Sequence, residues 1–129
     1  MAERALTMEL MKGLYGVCRL NSDEVLPEWA LQGSFYSITK TSDELSVVCP
    51  QDNIPKNIIC EKDWRILRII GPLDFSLIGI LSSISTILAK KGISIFAVST
   101  YDTDYILVRD KDTGSAIEAL SAEKYEIIR

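Results

Sequence analysis

Residues 64–129 read in order as strand, helix, hairpin, helix and strand, and that order most constrains what the chain can fold into. Trp64 to Ile70 is an apolar strand. From Phe75 to Lys91, residues Leu77, Ile80, Leu81, Ile84, Ile87 and Leu88 fall on one helical stripe, with Gly79, Ser82, Thr86 and Lys90 opposite, as in a helix with one buried face. Asp74 suits the N-cap of that helix, Lys90 and Lys91 its last turn, and Gly92 the position just past its end. Strands at Ile93–Thr100 and Asp104–Arg109, a helix from about Ser115 to Glu123 and a strand Tyr125–Arg129 follow. The segment therefore predicts an α+β fold with the βαββαβ, ferredoxin-like order.

The first half looks like a shortened copy. Ser37–Pro50 lies over Ala97–Asp110 without a gap, so that Thr39 meets Ser99, Glu44 meets Asp104, Leu45 meets Tyr105 and Val48 meets Val108. Each segment is an apolar strand, a short acidic turn and a second apolar strand, the signature of a hairpin. Chance similarity of two hairpins is the plain alternative; duplication gains weight because a further strand precedes each, at Leu14–Leu20 and at Trp64–Ile70. Only Asn21–Ser34 separates the first strand from its hairpin, which leaves room for a short helix around Pro27–Leu31, and Gln51–Lys56 replaces the second helix with a turn. So small a half-domain cannot bury enough core alone. The expectation is a tandem of ferredoxin-like domains, an abbreviated one over 1–61 and a fuller one over 62–129, packed through their sheets.

Strand patterning points to buried sheets. Ile95 and Ala97 point one way and Phe96 and Val98 the other, while Ile66, Leu67, Ile69 and Ile70 cover both faces. Either both faces are buried within the chain or one is buried against another subunit, which leads to the expectation of a homodimer.

Composition removes several functions. At 129 residues, 47% apolar and 25% charged, the chain can bury a core but has no room for a separate catalytic domain. A net charge of -4 without a basic run provides no footprint for nucleic acid. The first residues, MAERALTMELMKG, read as a strand and lack the continuous apolar block of an export signal. Phe75–Ala89 is too short and too rich in serine to span a bilayer, which takes roughly 20 apolar residues. A cytoplasmic protein without membrane contact is expected. The sequence has no histidine, so the commonest general base and metal ligand are absent and Ser-His-Asp and Cys-His chemistry is excluded. Cys18, Cys49 and Cys60 show no CxxC spacing and read as small hydrophobes in or beside strands. No cofactor, no metal and no enzymatic activity are expected.

Three features could carry chemistry. In the turn Gly71-Pro72-Leu73-Asp74, glycine would let backbone approach a ligand, and the N–H groups of a following helix would favour a carboxylate. The plain alternative is that Gly71 turns the chain and Asp74 caps a helix. The turn Thr100–Asp104 carries Asp102 and Asp104 beside Tyr101, which suits an ammonium or other small cation; solvated turn residues are the alternative. Ser76, Ser82, Ser83 and Ser85 lack a base and read as the polar face of the helix. Phe75 and Ile78 lie off the apolar stripe and mark a second contact surface near the helix start.

The segments YGVCRL at Tyr15–Leu20, LPEW at Leu26–Trp29, SITKTSDELSVVCP at Ser37–Pro50, GPLDFSLIGIL at Gly71–Leu81 and ISIFAVSTYDTDYILV at Ile93–Val108 together resemble the bacterial family built from two ACT domains. That family is similar to the ACT modules of aspartate kinases and of the animal arginine sensor. The resemblance implies a small-molecule sensor that holds an amino acid at an ACT-domain interface. It implicates Gly71, Leu73 and Asp74 in the loop, Leu77 and Ile78 at the helix start, and Tyr101 and Asp104 in the hairpin. The first half lacks a glycine-proline loop before a long helix, which departs from the pattern and puts an equivalent second site in doubt. Two readings stay open: a non-enzymatic sensor of an amino acid or related metabolite, and a structural interaction module with a vestigial pocket.

Overall fold

A computed structural model of the protein describes residues 6–70 and 79–129. In chain order the strands and helices are β1 (Thr7–Leu10), β2 (Tyr15–Leu20), β3 (Ser37–Lys40), β4 (Leu45–Pro50), β5 (Ile59–Ile69), α1 (Ile80–Lys90), β6 (Ile95–Ser99), β7 (Asp104–Arg109), α2 (Thr113–Ala122) and β8 (Glu126–Ile128). They form two compact units: Gly13–Trp64, and the residues up to Lys12 together with Arg65–Arg129. The boundary falls inside β5.

In the unit Gly13–Trp64 the strands run β3, β4, β2 and the start of β5. β2 pairs antiparallel with β4 from Tyr15↔Pro50 to Leu20↔Leu45, and with β5 at Tyr15↔Trp64 and Cys18↔Cys60. No long helix crosses this sheet: Pro27, with φ -74°, leads into the 3-10 turn Glu28–Leu31, and a second one at Gln51–Asn53 follows β4. Ala30 of the first turn is buried with Cys18, Leu20, Leu45, Val47 and Cys49. A Cβ on Gly16 would overlap the tip of Ile54 and lie 2.7 Å from Cys60 Sγ, so a side chain fits there only if both move.

In the other unit the sheet order is β6, β7, β5, β1 and β8. The βαββαβ segment supplies all strands but one, and β1 lies between its first and last strands, antiparallel to β5 at Met8↔Ile69 and parallel to β8 at Met8↔Ile127. Met8 is buried in the core formed by Leu67 and Ile69 of β5, Ile106 and Val108 of β7, Ile84 and Leu88 of α1, and Ala116, Ile117 and Leu120 of α2. Ile66 and Leu107 alternate with these residues and are also fully buried. Both faces of β5 and β7 are thus covered at these positions. The edge strand β6 differs, with Ala97 and Ser99 exposed.

Both helices end in the same way. Gly92, at φ 73°, donates to Ala89 O, and Ile93 donates to Leu88 O, which closes α1 as its glycine implies. Lys124, at φ 74°, plays the glycine's part after α2, with Tyr125 donating to Leu120 O. The start of α1 departs from the periodicity. Gly79, at φ 80°, is the N-cap of the described helix, which begins at Ile80; the cap expected at Asp74 lies outside the described residues. Glycine adopts this left-handed backbone at little cost because it has no Cβ.

Candidate functional site

The end of β5 and the tip of the β6–β7 hairpin are tied together. The Thr100–Thr103 turn closes by a hydrogen bond from Thr100 N to Thr103 O at 2.8 Å, and Thr100 Oγ1 accepts from Thr103 N at 3.3 Å. Threonine stabilises such a turn because its hydroxyl stands in for a backbone partner. Thr103 is itself buried, and its hydroxyl donates to Ile69 O at 2.8 Å. On the opposite side Ile70 N donates to Thr7 O, also at 2.8 Å. The last residues of β5 are therefore held from two directions, immediately before Gly71.

Two of the expected site residues lie on this hairpin. Tyr101 is 82% exposed at the turn. Asp104 opens β7 opposite Ser99, is half-buried, and shares its strand face with the core residues Ile106 and Val108. The other five, Gly71, Leu73, Asp74, Leu77 and Ile78, lie outside the described residues. Thr103 escaped the sequence reading. Its signal, a β-branched residue between two acids at the turn, is indistinguishable from an ordinary turn threonine until its burial is seen.

Hairpin register corrects the internal repeat. Lys40 pairs with Leu45 and Ser99 with Asp104, so each hairpin has a four-residue turn, Thr41–Glu44 and Thr100–Thr103. Thr41 corresponds to Thr100, Glu44 to Thr103 and Leu45 to Asp104, one residue away from the gapless alignment. The hydrogen bonds agree, because Thr41 Oγ1 accepts from Glu44 N at 3.1 Å as Thr100 Oγ1 does from Thr103 N. Burial agrees as well: Val47 matches Ile106 and Cys49 matches Val108, all fully buried. Asp104 is consequently the counterpart of the core residue Leu45, and not of the turn acid Glu44.

Two ion pairs lie near the surface of this unit. Arg68 binds Glu9 through Nε and Nη2 at 3.1 and 2.8 Å, and Arg65 reaches Asp110 at 3.7 Å. Exposed pairs of this kind contribute little. Among the described residues no group of His, Cys, Asp and Glu side chains has a metal-binding arrangement, and no helix is long and apolar enough to cross a membrane.

The βαββαβ unit and the unit Gly13–Trp64 each carry a threonine-tied hairpin. A family model for an N-terminal domain matches residues 13–57, and the ACT domain model matches residues 59–122. A crystal structure of an Agobacterium tumefaciens protein is 36% identical, with 98% of this chain and 94% of that chain covered and a TM-score of 0.92. The chain belongs to the ACT-domain family. Among curated proteins it is 32% identical over 95 residues to the human cytosolic arginine sensor for mTORC1 subunit 1, covering 67% of this chain and 29% of the sensor. The chain spans about a third or less of the arginine sensors it matches. The ligand-free regulatory subunit of aspartate kinase from Thermus thermophilus shares the fold at 13% identity, with a TM-score of 0.62 over 92% of this chain and 98% of that chain.

Proposed function

We propose that the protein is a non-enzymatic regulatory module that binds a free amino acid, or a close analogue, where β5 ends beside the β6–β7 hairpin. The observation that carries this reading is the 2.8 Å hydrogen bond from Thr103 to Ile69 O. It places the acidic turn beside the strand end from which Gly71 follows. Main-chain groups at Gly71, Leu73 and Asp74 would meet the ligand's carboxylate, and Leu77 and Ile78 would line its surroundings. Tyr101 and Asp104 would face its ammonium or a cationic side chain. Kinship with a cytosolic arginine sensor supports the amino-acid class and makes arginine the first probe. In this reading the protein acts in the cytoplasm, and the signal passes through a homodimer or to a partner protein.

Thermal unfolding in the presence of each of the twenty amino acids tests the reading. A ligand at about 100 times its dissociation constant adds roughly 2.7 kcal/mol of stability, which raises the midpoint by several degrees. Asp104→Asn keeps shape and hydrogen bonding but removes the charge. Calorimetric titration should show affinity lower by about 1.5 to 3 kcal/mol, with unfolding stability changed by no more than about 0.5 kcal/mol. If no amino acid at millimolar concentration moves the midpoint, the sensor reading fails and the vestigial-pocket module replaces it.

A further inference from the structure

Three cysteines distant in sequence converge on one face of the sheet in the unit Gly13–Trp64. Cys18 of β2 stands directly opposite Cys60 of β5, while Cys49 of β4 stands opposite Gly16, one step along the same face from Cys18. Cys18 and Cys49 are 2% and 0% exposed, and Cys60 is half-buried. The three thiols lie near enough to shift one another's titration. Cys60 Sγ donates to Glu61 O at 3.6 Å, and the missing side chain of Gly16 leaves the space it fills.

Strand geometry selects one pair. Directly opposed residues of antiparallel strands hold their Cα atoms about 4.5 to 5.5 Å apart, inside the roughly 4.4 to 6.8 Å that a disulfide spans. Diagonal neighbours such as Cys18 and Cys49 sit about 7 to 8 Å apart, outside it. We propose that Cys18 and Cys60 form a reversible disulfide that staples β2 to β5, with a low-molecular-weight disulfide as the oxidant and Cys49 left as a free thiol.

The reaction is thiol–disulfide exchange. Cys60, the accessible member, loses its proton, and its sulfur attacks one sulfur of the reagent; the reagent's S–S bond breaks and one thiolate leaves. Cys18 sulfur then attacks Cys60 Sγ of the mixed disulfide and expels the second reagent thiolate. The two cysteines give up two electrons, and their two protons end on the two reagent thiols. Burial, with help from neighbouring Cys18, pushes the Cys60 thiol from 9.0 up to about 12; Lys62 pulls it down and Glu61 pushes it up. Cys18 is raised by its neighbour Cys49 and by burial, and Cys49 is lowered by its neighbour Cys18. Thiolate is therefore scarce at neutral pH and increases about tenfold for each pH unit below the thiol's pKa, so the exchange accelerates steeply with alkalinity.

The test uses the full chain and oxidised glutathione between about pH 7 and about pH 9, with acid quenching and peptide mapping. The expected product is lighter by about 2 Da, carries a Cys18–Cys60 link, reverts with dithiothreitol, and forms about tenfold faster per pH unit. Closing the loop should also raise the melting temperature by roughly 5 °C or more. Cys49→Ala should react like the parent and Cys60→Ala should not. Glutathione retained on Cys60, a Cys18–Cys49 link, a rate flat with pH, or unchanged mass at the alkaline end would each overturn the proposal.

Discussion

The β3–β4 and β6–β7 hairpins share a four-residue turn tied by a threonine, yet they reverse polarity at the two residues that lead into the second strand. In the first hairpin, half-exposed Glu44 ends the turn and Leu45 enters the core at 2% exposure. In the second, buried Thr103 ends the turn and half-buried Asp104 follows. One hairpin therefore obeys the pattern that a core demands. The other turns a hydroxyl inward to hold β5 and keeps a carboxylate at the end of a core-facing row. A local departure from packing logic on an otherwise shared frame is where a ligand site is to be sought.

Exchanging the two arrangements gives the largest expected effect. Leu45→Asp would put an unpaired carboxylate among Cys18, Leu20 and Val47, and should destabilise the unit by more than about 4 kcal/mol in denaturant unfolding. Asp104→Leu should fold normally, because its position is partly open. Equal losses from the two changes would show that the positions are equivalent in burial and would dissolve the contrast.

A smaller effect separates the turn ends. Thr103→Val keeps the shape but leaves Ile69 O without its donor, which should cost about 1 to 3 kcal/mol, whereas Glu44→Gln should stay within about 0.5 kcal/mol. Indistinguishable unfolding curves for these two variants would mean that Thr103 fastens nothing. The smallest effect tests what the hairpins share: Thr41→Ala and Thr100→Ala should each cost about 0.5 to 1.5 kcal/mol, and alike, since each hydroxyl accepts a turn amide. A clear difference between them would break the correspondence of the turns.

The sequence made the elements legible where chemistry marks their ends. Asp104–Arg109 has the expected bounds, and Gly92 after two lysines announced the end of α1. Lys124 carried no such mark, because a left-handed lysine looks like any other surface lysine. The one-residue slip in the repeat has a comparable cause. Val47, Val48 and Cys49 in one hairpin and Ile106, Leu107 and Val108 in the other are buried on both faces, so no alternation of polar and apolar residues remained to fix the register. The thiol cluster was hidden for the same reason, since cross-strand neighbours are set by pairing and not by spacing along the chain. Of the candidate site, the acidic hairpin was visible and its anchor was not. A hydroxyl aimed at a backbone carbonyl leaves no trace in composition or periodicity.

The placement of β1 bears on how the protein is made. Thr7 Oγ1 meets Glu126 Oε1 at 3.3 Å across 119 positions of sequence, and β1 lies between β5 and β8. A ribosome releases β1 well before β5 and β8, so this strand emerges long before either neighbour exists and its sheet cannot close until β8 has followed. Folding of that unit is governed by a long-range encounter, slow for a chain of this size.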